Sequence, residues 1–164
     1  MLAIIYWLHM LATVAWIGGL AALGLLVLPA AHKTLSGTQY SAFLTQVTRR
    51  LQLIGWLSLA VLIGTGMFQM SASPFYQGFL AITNPWAEAI LAKHIVIAGM
   101  TGLSAYLTWW HAPKMERLAL LQARGKGDPA EIAAMQHREE LLVQINLGVS
   151  ILILLLTALA RSAQ

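Results

Sequence analysis

The chain reads as an all-α, four-helix transmembrane bundle with both termini outside, and three observations predict it. Apolar residues make up 59% of its 164 residues and charged residues only 10%. Mean hydropathy is +0.71, well above that of a soluble domain. Four continuous apolar runs each reach the ~20 residues that a helix needs to cross roughly 30 Å of hydrocarbon. Continuous runs of this length exclude a membrane β-barrel, whose strands alternate and are about 10 residues long. The four runs form a single domain over residues 1–164.

The first span covers Leu2 to Leu28. It has no basic residue ahead of its apolar core and is longer than a signal-peptide core, so it reads as a mature helix. The second covers Leu51 to Met70, the third Trp86 to Trp110 and the fourth Leu141 to Ala160. Residues 112–140 form a cytoplasmic helical connection, broken at Gly125-Lys126-Gly127-Asp128-Pro129. Asp128 suits a helix cap, with Pro129 at the first helical position and Glu131 three residues after the cap. This predicts a solvated helical hairpin that extends spans three and four. The connection from Ser71 to Pro85 holds Pro74, Phe75, Tyr76, Phe79 and Asn84-Pro85-Trp86. It suits an interfacial segment with aromatic anchors, placed to lid a site beneath it.

Lys and Arg set the orientation. Lys33, Arg49 and Arg50 lie between spans one and two, and Lys114, Arg117, Arg124, Lys126 and Arg138 between spans three and four. Both connections therefore belong on the cytoplasmic side of an inner membrane, with the termini and the 71–85 connection outside. Topology accounts for the formal charge of +4 and calls for no nucleic-acid partner. The partner that composition requires is the lipid bilayer. Gly18-Gly19 and Gly99-x-x-Gly102 permit close helix contacts, within one bundle or in a homo-oligomer or membrane complex.

Each span carries one polar or small stripe at helical spacing. The stripes are His9, Ala12, Thr13, Trp16 and Gly19 in span one, Ser58, Thr65 and Gln69 in span two, and Asn146, Ser150, Thr157 and Arg161 in span four. Such faces predict a polar interior with a lipid-facing apolar exterior. Lys93 and His94 interrupt span three, and ionisable residues within hydrocarbon point to function. At about 1.5 Å of rise per residue, His9, Lys93 and His94 lie roughly 8 to 12 Å below the outer boundary and can converge there. Met67 and Met70 reach the same half. His32, His111 and His137 fall near the cytoplasmic surface, where imidazoles are cheap.

With no cysteine in the chain, a metal must be held by His, Met, carboxylate or backbone. Two chemistries suit the outer set. His9 and His94, with thioethers from Met10, Met67 and Met70, suit copper, because Cu(I) prefers soft sulfur and accepts imidazole. Alternatively, His9 and His94 suit the opposed axial ligands of a b-type haem, with Trp16 against the macrocycle and Lys93 pairing a propionate. Plainer roles stay open beside these: His9 as a donor to a neighbouring helix, Lys93 snorkelling outward, the methionines as core filler.

The run His9-Met-Leu-Ala-Thr-Val-Ala-Trp16-Ile-Gly18-Gly19 resembles the opening helix of the copper resistance D family of bacterial inner-membrane proteins. Lys93 behind Trp86 and the ending Leu-Thr157-Ala-Leu-Ala-Arg161 are similar too. The resemblance implies copper binding or transport at the cytoplasmic membrane. In this reading His9 and His94 are metal ligands, Met67 and Met70 are secondary thioether ligands, and Lys93 positions an anion or excludes a second cation. His9 and Lys93 are also similar to positions of the four-helix haem b membrane proteins of the HemJ type. The long Ala112 to Glu140 connection and the placing of His111 depart from that family, so no enzyme activity is carried over. The alternatives are a haem b redox protein exchanging electrons with quinone or a partner, and an accessory subunit of a respiratory or photosynthetic complex.

Overall fold

A computed structural model describes residues 1–35, 37–78 and 84–162. Four long helices account for nearly all of them: α1 (Leu2–Thr34), α2 (Gly37–Ser71), α3 (Pro85–Ala123) and α4 (Pro129–Ser162). Each contains a stretch long and apolar enough to cross a membrane. Two antiparallel pairs, α1 with α2 and α3 with α4, carry most of the packing. They join where α1 meets α4 and where α2 meets the Ala112–Ala123 end of α3. Both termini and the 71–85 connection share one end of the bundle, where Arg161 lies over the Tyr6 ring at 5.8 Å. Phe79 lies outside the described residues.

The helices outrun the apolar spans because hydropathy and helicity stop at different places. Arg49 and Arg50 end the apolar run, yet Tyr40, Leu44, Val47 and Leu51 keep helical spacing through it. Tyr40 and Leu44 are buried against Leu23, Leu28, Ala31 and Val143 in the inner core. A second core, Trp16, Leu59, Met100 and Ile153, lies at the middle of the bundle.

Two prolines that would end an α-helix are carried within one. The six residues Ala22–Val27 and the five residues Leu107–His111 are π-helical. The Leu28 N–H bonds Leu23 O, and the Ala112 N–H bonds Leu107 O. Pro29 and Pro113 follow directly. A proline ring collides with the carbonyl four residues before it, and widening the preceding turn makes room for it. The first helix therefore continues past Leu28 to Thr34, and the third past Trp110 to Ala123. A π turn also adds a residue, which resets the inward face by about 100°. His111 thus ends only 2% exposed, beside the exposed Trp109 and Trp110. It is buried within the bundle at that end.

The hairpin between α3 and α4 follows its sequence signals. Lys126 N–H bonds Leu121 O and Gly125 N–H bonds Gln122 O, both at 2.9 Å, with Gly125 at φ +69°. These are the paired bonds of a glycine-terminated helix. Asp128 Oδ1 then accepts from Ala130 N–H at 2.9 Å, capping α4 ahead of Pro129. Leu118, Ile132 and Met135 zip the two helices together. At the other end, Asn84 caps α3 by accepting from Ala87 N–H at 2.8 Å, and its amide reaches Phe75 O. Phe75 and the buried Trp86 lie 6.4 Å apart there.

Candidate functional site

The inward stripes meet as their spacing predicts. Ala12 and Trp16 of α1, Ser58 of α2, and Asn146 and Ser150 of α4 are all buried. The α4 stripe opens at Thr157 and Arg161, which are exposed.

Near the end that carries the termini, His9 crosses from α1 to α2, its Nδ1 lying 2.7 Å from Thr65 Oγ1. The Thr65 hydroxyl has a single proton and gives it to Val61 O at 2.6 Å. Where the hydroxyl donates to that carbonyl it accepts from His9, and Nδ1 is then the protonated nitrogen. In the neutral ring the lone pair is then on Nε2, which has no protein partner among the described residues. Thr13 donates to His9 O at 2.8 Å, tying down the turn that bears the histidine. Lys93 of α3 is half-buried, within electrostatic reach of His9, and has no ion pair or hydrogen bond among the described residues. Gln69, one turn beyond Thr65, keeps a buried Nε2 with no partner there. Trp16, two turns along from His9, packs in the central core.

The remaining candidates face elsewhere. His94 is exposed, and its Nδ1 lies 2.7 Å from Ile90 O of its own helix. Neighbours on a helix point about 100° apart, so with Lys93 turned inward His94 is turned out. The structure does not bring His9 and His94 together as opposed ligands. Met67 and Met10 are 57% and 66% exposed, and Met67 lies about 200° around α2 from Thr65. Met70 is half-buried at the same end. Among the described residues, no three of His, Cys, Asp and Glu gather as a metal-holding group.

The opposite end holds polar features that sequence reading passed over. His32 Nε2 lies 2.6 Å from Glu140 Oε1, and the Tyr40 hydroxyl donates to the same oxygen at 3.0 Å, linking α1, α2 and α4. Between these links and the central core, a cleft partly open to its surroundings is lined by all four helices. Trp16, Trp56 and leucines wall it, with Thr48, Asn146 and Glu139 among its polar lining. Asn146 is 1% exposed; its amide N–H donates to Ser104 Oγ at 3.0 Å, and its Oδ1 has no partner among the described residues. Thr48 Oγ1 is likewise buried and unpaired. Each such atom costs about 1–3 kcal/mol if nothing satisfies it. The signal for this site is the spacing Glu139, Val143, Asn146, Ser150, which continues the α4 stripe two turns inward.

Four helices capable of crossing a membrane, with ionisable side chains turned to their interior, fit a multi-pass membrane protein. Residues 45–160 match the family model of copper resistance protein D. This is more than half the chain and takes in all but the start of α2, the whole of α3 and nearly all of α4. The chain belongs to the copper resistance protein D family, and it is a copper-related membrane protein in that sense. The match begins beyond α1, so His9 and Trp16 lie outside the matched stretch. No curated protein and no solved structure matches the chain.

Proposed function

We propose that this protein handles copper at the cytoplasmic membrane, binding the ion as cargo at His9 on the outer side of the bundle. The observation that carries the proposal is that His9 Nδ1 is held at Thr65 Oγ1 while Nε2 has no protein partner among the described residues. An imidazole with one nitrogen tied by a hydrogen bond and the other free is the usual form of a metal-binding histidine. Neutral imidazole suits Cu(I), for which a thioether is a suitable second donor, and Met70 is half-buried at the same end of the bundle. Lys93 admits one cation and repels a second. Lys and Arg gathered at the opposite end support an orientation with that end in the cytoplasm.

Family membership supports copper over other metals. The test is copper bound per chain, with Cu(I) affinity by competition against a chromophoric chelator, in the purified protein. His9→Ala and Met70→Leu are each expected to weaken binding, His9→Ala the more strongly. Unchanged stoichiometry and affinity in both variants would overturn the proposal. A Soret band with matching iron in the same sample would replace copper with haem.

A further inference from the structure

We infer that His111, Met115 and Met135 form a second binding site for a soft monovalent cation, Cu(I), at the end of the bundle away from the termini. The choice of ion rests on the copper reading above, while the site stands on residues separate from His9.

His111 is 2% exposed, and its Nε2 is buried with no hydrogen-bond partner among the described residues. A buried ring nitrogen is satisfied by a hydrogen bond or by a metal. Here the surroundings favour the metal. Steps of four and seven residues put His111, Met115 and Leu118 on one face of α3. That face is turned to α4, because Leu118 and Met115 pack there with Ile132 and Met135.

Three contacts fix how the two helices pass each other. Asn146 meets Ser104 at 3.0 Å, Arg138 lies over the Tyr106 ring at 5.7 Å and Lys114 meets Glu131 at 3.7 Å. In that register Met135 stands level with residues 109 to 115, the stretch that carries both His111 and Met115. Met135 is 8% exposed, so its thioether is confined to the seam. Side chains on a helix lean toward its N-terminus, which carries Met115 back over the turn of His111.

The donor set selects the ion. Thioethers select Cu(I), and imidazole suits copper. A structural Zn(II) site takes four ligands from thiolate, imidazole and carboxylate, and among the described residues no three such side chains gather. Arg138 and Lys114 lie within electrostatic reach of the His111 ring. They repel a divalent ion twice as strongly as a monovalent one.

Cu(I) bound per chain and its affinity are measured anaerobically on the full chain in lipid nanodiscs, by competition with a chromophoric chelator. Wild type is expected to bind two ions and His9→Ala one. In the His9→Ala background, His111→Leu is expected to remove the remaining ion. Leucine matches methionine in volume, so Met115→Leu and Met135→Leu take away sulfur while keeping the packing. Each is expected to weaken the remaining site by at least about tenfold, the lower bound set by loss of a mere supporting partner. X-ray absorption at the copper edge of His9→Ala is expected to show nitrogen and sulfur neighbours together. A His9→Ala protein free of Cu(I), a copper shell without sulfur, or unchanged affinity in both methionine variants would each overturn the site. One ion per chain in wild type, kept in His9→Ala and weakened by Met135→Leu, would instead keep this site and overturn the one at His9.

Discussion

At the scale of single residues, the chemistry of His9 is set by a neighbour that is not itself a ligand. Thr65 Oγ1 lies within hydrogen-bond reach of both Val61 O and His9 Nδ1, and with its proton on the carbonyl the bare imidazole nitrogen is Nε2. Thr65→Val removes that acceptor while keeping the side-chain shape, and frees the ring to change tautomer and rotate. Losing such a supporting hydrogen bond is expected to weaken Cu(I) binding by about tenfold to a hundredfold. Thr65→Ser, which restores the hydroxyl, is expected to bring affinity back to within about threefold of wild type, since the same bond can re-form. Competition titration of the three proteins reads this directly. Equal affinity in Thr65→Val would show that the tautomer lock has no part in binding.

The sequence shows why His9 matters but not which partner it meets. A histidine and a lysine in apolar runs are conspicuous, and the α1 stripe through Ala12 and Trp16 turns inward as its spacing predicts. The Thr65 contact depends on the rotation and height of α2 against α1, and neither is written into either segment alone. Lys93 and His94 show the same limit, since adjacent residues share a depth but not a face. Glu139 was hidden differently. It stands in the run His137-Arg138-Glu139-Glu140, where charge reads as solvated surface, and only its seven-residue step to Asn146 marks the inward face.

At the scale of elements, local rules read well where backbone chemistry decides. The Gly125 turn and the Asp128 cap are both present. Pro29 and Pro113 are the exceptions, because a π turn lets each helix continue where the local rule would stop it. Gly127 tests the hairpin. A Cβ there would sit 2.8 Å from Gln122 Cα and 2.9 Å from Gln122 N, so backbone would have to move. Gly127→Ala is expected to cost about 1–3 kcal/mol, as overpacking does, and to lower the thermal unfolding midpoint in detergent. Gly18→Ala is the control, since its added methyl meets nothing within 4 Å. An unfolding midpoint for Gly127→Ala equal to that of the control would mean that the turn relaxes freely.

At the scale of the whole molecule, the quantity to decide is direction across the membrane. Four antiparallel helices require both termini to share one side, and Arg161 over Tyr6 brings the two terminal helices together at that end. Lys33, Arg49, Arg50, Lys114, Arg117, Arg124, Lys126 and Arg138 sit at or near the other end, where a basic excess marks the cytoplasm. If that sign holds, His9 faces the periplasmic half and the inner cleft faces the cytoplasmic half. Copper would then meet His9 from outside. The absence of cysteine makes the test direct, because one introduced thiol is the only one in the chain. Ser73→Cys, in the 71–85 connection, is expected to react with a membrane-impermeant maleimide in intact cells. Lys126→Cys, in the hairpin turn, is expected to react only after the membrane is opened. The reverse pattern would invert the protein, placing His9 on the cytoplasmic side and making copper export from the cell, rather than capture from outside, the direction that His9 serves.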